Sequence, residues 1–304
     1  MRTDGAKATG IANIAADGTV LDTWYPSPTL ADVNTTGTRR LSARDLSARF
    51  LSLIKIDEGR MVEQVAVETQ IADLSQPPID AHDAYLRLHL LSHRLVTPGS
   101  INMDGLLDRL AMTVWTNKGP CLPENFEFVR TTLRARGLVH VYGIERIPRM
   151  VDYVVPSHVQ VAEADRVRLG AYLAPGTIVQ RSGYISYNSG TYGPTQLEGR
   201  ITAGVTLGED STMQLGSGAI STHQQPMYIG RFCTIGYNTM VVDVSIGDHC
   251  TIASDLILTP DSLVVFADTD GTARPLGTTL EPGWQISALH LTSGDKQILS
   301  ARRA

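Results

Sequence analysis

Glu198 and Arg200 stand two residues apart in "QLEGRITAGV", residues 196–205, among threonine, glycine and aliphatic side chains. On a strand, side chains at i and i+2 share a face. Two readings of this pair stay open. One is a solvated or salt-bridged surface pair, common and weak. The other is a carboxylate held in a cleft between two chains, where desolvation raises its pKa and suits it to accept a proton. Other chemistry-bearing residues are sparser. His158, His223 and His249 are the candidates for a zinc site shared between subunits, but they stand in no tight multi-histidine pattern. His89 and His93 have i,i+4 spacing beside His82, without the glutamate of an HExxH helix, and read as structural. "GSGAIS" lacks the Lys-Ser/Thr ending of a phosphate loop. Trp24, Trp115 and Trp284 lie far apart and read as packing residues.

The elements that must position Glu198 begin near residue 150, where helical stripes give way to another texture. "VRLGAYLAPGTIV", "VTLGEDSTMQLG", "YIGRFCTIGYN" and "VSIGDHCTIASDLIL" each carry an aliphatic residue, then Gly or Ala, then polar or small residues, then another aliphatic. Ile229 and Ile235, then Ile246, Ile252 and Leu258, mark intervals of six with one slip to eleven. Neither a helical period nor two-residue alternation fits. A hexapeptide repeat predicts a parallel β-helix over about residues 158–265. Each six-residue side turns one aliphatic residue inward to stack on its equivalents. The corner beside it favours Gly, Ala, Asn or Asp. Single coils cannot bury their own core, so several must stack. Charged residues then face outward on flat walls, which in such prisms commonly pack against copies of themselves as trimers.

The first half reads as mixed α/β. Asp17-Gly18 between apolar runs signals a hairpin. Residues 26–60 read as loop with one short helix, and "QVAVETQIADL" alternates as a strand. In "DAYLRLHLLSHRL", Tyr85, Leu88, Leu91 and Leu95 mark one helical face and Asp83 is placed to cap. "DGLLDRLAMTVW" predicts a second helix through Leu107, Leu110, Ala111 and Val114. "PENFEFVRTTLRARG" predicts a third, opened by Pro123 and Glu124 and closed by Gly137. "LVHVY" follows as a strand. The boundaries are thus 1–150 for an α/β domain, 151–265 for the β-helix and 266–304 for a short C-terminal extension.

Composition narrows the function classes. The chain has 304 residues, 42% hydrophobic and 19% charged, with net charge −5. No Lys/Arg run exceeds two residues, which argues against a nucleic-acid partner. No apolar run is long enough to span a membrane, and the N-terminus lacks a signal peptide's apolar core. Cys121, Cys233 and Cys250 form no motif and read as reduced, cytoplasmic thiols, the last two as small core residues.

"LDTWYP", "DAYLRLHLLSHRLV", "VWTNKGPC", "PRMVDYVVP", "ADRVRLGAYLAPGT" and "LEGRITAGV" resemble tetrahydrodipicolinate N-succinyltransferase of the actinobacterial type, over about residues 9–258. The resemblance implies an α/β N-terminal domain, a left-handed parallel β-helix, a homotrimer, and transfer of succinyl from succinyl-CoA to the amine of ring-opened tetrahydrodipicolinate, on the way to diaminopimelate and lysine. It places the catalytic carboxylate at Glu198, as base or acyl carrier, and the acyl-donor arginine at Arg200. It assigns the acyl-CoA side to Gly216, Tyr237, Ala253 and Ser254 as well. Asp165 falls where the family sets an aspartate on the trimer axis with magnesium. Departures cluster at the pocket. "STMQLGSGAISTHQQPMYIG" lacks several family glycines, so that Met213, Gln214, His223 and Gln224 are expected to reshape it. Ser182 and Ala253 stand where the family carries glutamates, and the C-terminal segment lacks its paired arginines. These departures leave room for a relative acylating another amine, with acetyl-CoA for example, or for a catalytically silent scaffold.

Overall fold

The computed structural model describes residues 4–268, 271–289 and 298–303. Two compact units emerge, one of residues 1–96 and 100–155, the other of 97–99 and 156–304.

The first unit is built on a six-stranded antiparallel sheet. Strand Ala6–Ala15 turns through Asp17-Gly18 into Val20–Trp24 and pairs along its whole length with Val62–Ile71. Gly18 sits at φ +91°, where its missing Cβ removes the penalty. The helix Ala81–Ser92 is capped by Asp80, whose side chain accepts from the Asp83 amide at 2.9 Å. The expected cap, Asp83, is buried instead and holds Arg87 at 2.7 Å. This helix is not amphipathic: residues 83–92 are all buried. Leu95 lies beyond its end and is 39% exposed.

The predicted second helix shrinks to Leu106–Arg109. Thr113–Thr116 instead becomes the central strand of a three-stranded sheet with Gly119–Cys121 and Val141–Glu145. Pairing on both sides, together with the β-branched Thr113 and Val114, overrides the helical spacing. The third helix forms at Phe126–Arg134, with Gly137 at φ +102° beyond it.

The second unit is a parallel β-helix of about six turns with three sheets along its length. One face carries Thr177–Val179, Thr195–Leu197, Ser211–Met213, Thr234–Ile235 and Thr251–Ile252 in parallel register. The next carries Tyr184–Ile185, Arg200–Ile201, Gly218–Ile220, Met240–Val242 and Ile257–Leu258. The third runs through Ala171–Leu173, Ser189–Thr191, Val205–Leu207, Met227–Ile229 and Ser245–Ile246. Leu197, Met213, Ile235 and Ile252 stack inside one wall and are fully buried. Each such side chain contributes roughly 1.5–3 kcal/mol by leaving water. Cys233 and Cys250, also fully buried, are stacked one coil apart, with the Cys250 amide donating to Cys233 Sγ at 3.5 Å.

The coil does not stop at 265. After an excursion that includes Leu263–Phe266 and Arg274–Pro275, Thr279–Leu280 and Trp284–Leu289 rejoin the third and first faces. Ile298–Arg303 pairs with Trp284–Leu289. Residues 269–270, 290–297 and 304, the remainder of the expected extension, lie outside the described residues.

Candidate active site

The turn from the first face to the second forms one edge of the prism. Four residues round this edge in most coils: 180–183 between Val179 and Tyr184, 214–217 between Met213 and Gly218, 236–239 between Ile235 and Met240, and 253–256 between Ile252 and Ile257. The coil between Leu197 and Arg200 has only two, Glu198 and Gly199. The ladder stays intact across the short corner. The Glu198 amide donates to the Met213 carbonyl and the Arg200 amide to that of Ser217, both at 2.9 Å. Spanning the edge with two residues fewer draws Glu198 back between two longer corners, carrying Arg181 and Ser182 on one side and Leu215 and Gly216 on the other. Glu198 is half-buried, as is its equivalent Gln214 in the next corner, whereas Arg181 and Leu215 are exposed.

Gly199 makes the short corner possible. A Cβ there would overlap Ser217 Oγ and lie 2.5 Å from the Ser217 carbonyl oxygen. Arg200, exposed on the second face, does not pair with Glu198. Its guanidinium lies 5.1 Å from the ring of Tyr184, its neighbour one coil back. Among the described residues no Glu198–Arg200 salt bridge forms, which leaves the pair without mutual neutralisation in one chain. Among the described residues Arg200 makes no ion pair, while Arg231, elsewhere on the helix, is held by Asp248 at 2.8 Å. On the other side of Arg200, Gly218 leaves space that the Met240 side chain fills, its Cε and Sδ lying 2.6 and 2.9 Å from where a Cβ would be. Tyr184 and Met240 escaped the sequence reading. The only available signal was their register, 16 residues before and 40 after Arg200, which depends on corner lengths.

Gly216, Tyr237, Ala253 and Ser254 share the edge with Glu198. Gly216 takes φ +75° in the adjacent corner. Tyr237, half-exposed, and Ser254 follow in the next two coils, tied by the Tyr237 amide donating to Ser254 Oγ at 3.1 Å. At ~4.8 Å between paired strands, Tyr237 lies roughly 10 Å and Ser254 roughly 14 Å along the edge from Glu198. Asp165, exposed in the turn Ala164–Arg166, belongs to the first corner of the same edge. Its neighbour Glu163 is engaged by Arg181 at 3.2 Å. Among the described residues no three His, Cys, Asp or Glu side chains of one chain gather tightly enough to hold a metal ion. One chain thus offers a lone exposed carboxylate at Asp165, and a magnesium donor set there requires further copies.

One expectation about the pocket is corrected. Met213 does not line it: its side chain is fully buried in the coil interior, where the inward row needs an apolar residue. His223 and Gln224 lie in an insertion, residues 221–226, that rounds the edge between the second and third faces, a different edge from that of Glu198. Tyr187 Oη donates to Gln224 Oε1 at 3.1 Å there. Ser182 lies in the corner 180–183, one coil before that of Glu198, and Ala253 is half-buried on the same edge.

A family model for the middle region of tetrahydrodipicolinate N-succinyltransferase matches residues 110–149. A 2,3,4,5-tetrahydropyridine-2,6-dicarboxylate N-succinyltransferase of Salinispora tropica is 45% identical over 206 residues, covering 66% of this chain and 64% of the relative. The chain is a relative of these N-succinyltransferases. A Pseudomonas paraeruginosa enzyme of the same name is 36% identical over 200 residues, covering 64% of this chain and 58% of its own length. The match therefore spans a little under two thirds of the curated relatives. A crystal structure from Campylobacter jejuni, described as a candidate 2,3,4,5-tetrahydropyridine-2-carboxylate N-succinyltransferase, superposes with a TM-score of 0.79 over 99% of this chain and 93% of that one. At 18% identity that likeness speaks to the fold. No helix among the described residues is long and apolar enough to cross a membrane.

Proposed function

We propose that this chain is an acyl-CoA-dependent N-acyltransferase that moves succinyl from succinyl-CoA to the amine of ring-opened tetrahydrodipicolinate. The observation that carries this reading is the shortened corner, which recesses Glu198 on the edge that also holds Gly216, Tyr237, Ala253 and Ser254. The relatives' names point to the same transfer. An alkylammonium is not a nucleophile until it loses a proton. Glu198 takes that proton, and the free amine nitrogen attacks the thioester carbonyl. The C–N bond forms, the C–S bond breaks, and CoA leaves as its thiol. Alignment in a fixed cleft supplies most of the acceleration.

Arg200 has its guanidinium laid along Tyr184 and no carboxylate of its own, so it grips the distal carboxylate of the succinyl group. Copies of the chain assemble as a homotrimer, so that a neighbour's wall covers the recess, and Asp165 would supply one carboxylate to a magnesium ion shared between copies. That ion would neutralise the converging carboxylates and takes no part in the acyl transfer. A second reading, acylation of a different amine, is favoured by Ser182, which sets a hydroxyl rather than a carboxylate in the corner one coil before that of Glu198. A thiol-release assay with succinyl-CoA and acetyl-CoA over a panel of amines tests both. Glu198→Gln is expected to lower turnover by about 10²-fold or more with the assembly intact. Release that is unchanged in Glu198→Gln overturns the base, and no turnover or CoA binding with any pair overturns the transferase reading.

A further inference from the structure

The first unit holds a cavity of about 370 Å³ that the acyl-transfer chemistry does not use. Its size is that of a small-molecule site. Asp22 lines it, although only 4% exposed. One carboxylate oxygen accepts from Asn13 Nδ2 at 2.6 Å and from the Asn13 amide at 3.3 Å. The other accepts from Tyr153 Oη at 2.5 Å. Among the described residues Asp22 makes no ion pair. Arg60 reaches it only through Asn13, donating to Asn13 Oδ1 at 3.1 Å, while Arg60 Nε is taken by Asp57 at 2.7 Å. Burial pushes the Asp22 pKa up, against the hydrogen bonds from Tyr153 and Asn13 and the more distant Arg60 charge, which pull it down.

The other lining groups select the sign of a ligand. Arg149 is the lining cation, and Asp152 grips it with two bonds of 2.9 Å while it lies 3.9 Å over the Tyr142 ring. That guanidinium is already neutralised, so an ionised Asp22 leaves the lining with one net negative charge. Trp24 and Trp115 spend their indole N–H groups on the carbonyls of Tyr153 and Glu145, at 3.2 and 2.9 Å. What they offer the cavity is aromatic surface, and Tyr153 adds its ring edge-on to Trp115 at 6.4 Å. Aromatic faces attract cations and repel anions.

We propose that this cavity binds a small organic cation, an alkyl- or arylammonium, with its charge at Asp22 and its carbon skeleton against Trp24, Trp115 and Tyr153. The site is independent of the acyl-transfer reading. Calorimetric titration of the full chain at neutral pH uses benzylammonium, benzyl alcohol as its uncharged isostere, and benzoate. Benzylammonium is expected to bind at least about tenfold more tightly than benzyl alcohol, and benzoate not at all. Asp22→Asn removes the preference for the cation, and Trp24→Leu weakens benzylammonium by about tenfold. No binding of benzylammonium, binding of benzoate as tight as the amine, or a preference that survives in folded Asp22→Asn overturns the site. Should Asp22→Asn fail to fold, Trp24→Leu decides, and an unchanged affinity in that variant refutes the proposal.

Discussion

His89 makes the first unit sensitive to acid in a way that can be calculated. The ring is fully buried on the helix Ala81–Ser92. Its Nδ1–H donates to the Tyr85 carbonyl at 2.8 Å, and its Nε2 lone pair accepts the Tyr25 amide at 3.2 Å. Both nitrogens are used by the neutral ring, so a second proton has no acceptor and breaks the Tyr25 bond. Burial accordingly drives the pKa down to about 3 from 6.5. The folded pKa lies below the unfolded one, so between those values the unfolded chain binds the extra proton. Stability is present in full above pH 6.5 and falls as pH drops towards 3, by about 1.4 kcal/mol per pH unit. From pH 6.5 to 4.5 the expected loss from His89 is about 2 kcal/mol. His82 and His93, also lowered by burial, act in the same direction. Asp22 and Asp83, raised by burial, act oppositely, because the folded state then holds the proton. Urea unfolding followed by far-UV circular dichroism at half-unit pH steps measures the slope. His89→Gln lowers stability at every pH, yet its free energy is expected to fall less steeply with acid, by about 1.4 kcal/mol per unit. Parallel pH curves for the two proteins would refute the assignment of the neutral, proton-excluding ring.

Arg200→Ala is expected to raise the KM for succinyl-CoA about tenfold or more and to leave acetyl-CoA use almost unchanged, since only succinyl carries a second carboxylate; equal effects on both donors in steady-state kinetics would remove that role. Gly199→Ala forces a Cβ against Ser217 and is expected to cost about 1–3 kcal/mol. The same change displaces Glu198, so turnover is expected to fall more than substrate binding. Thermal unfolding and a kcat–KM comparison check both parts, and wild-type turnover would show that the short corner does not position the carboxylate.

Much of the second unit was legible because its rule is local. An inward aliphatic residue every six positions follows from each side needing one stacking contact, and that pattern is visible within a single coil. The resemblance added the identity of Glu198 and its companions on the edge. The fate of "DGLLDRLAMTVW" was not legible, since the same residues satisfy a helical stripe and a paired strand. Only the neighbouring strands at 119–121 and 141–145 select between them. The all-round burial of Ala81–Ser92 was hidden for the same reason, because Asp83 and Arg87 look exposed until they are seen to neutralise each other.

The sequence by itself determined that the chain winds into stacked coils with an apolar interior and that a glutamate and an arginine stand outside that interior. Tertiary structure decided where those two residues sit. Which side chains stack across coils depends on the summed lengths of the corners between them, a non-local quantity. Two residues fewer at Glu198–Gly199 set the carboxylate back from the edge, and the register that results lays Arg200 on Tyr184 rather than on its near neighbour in the chain.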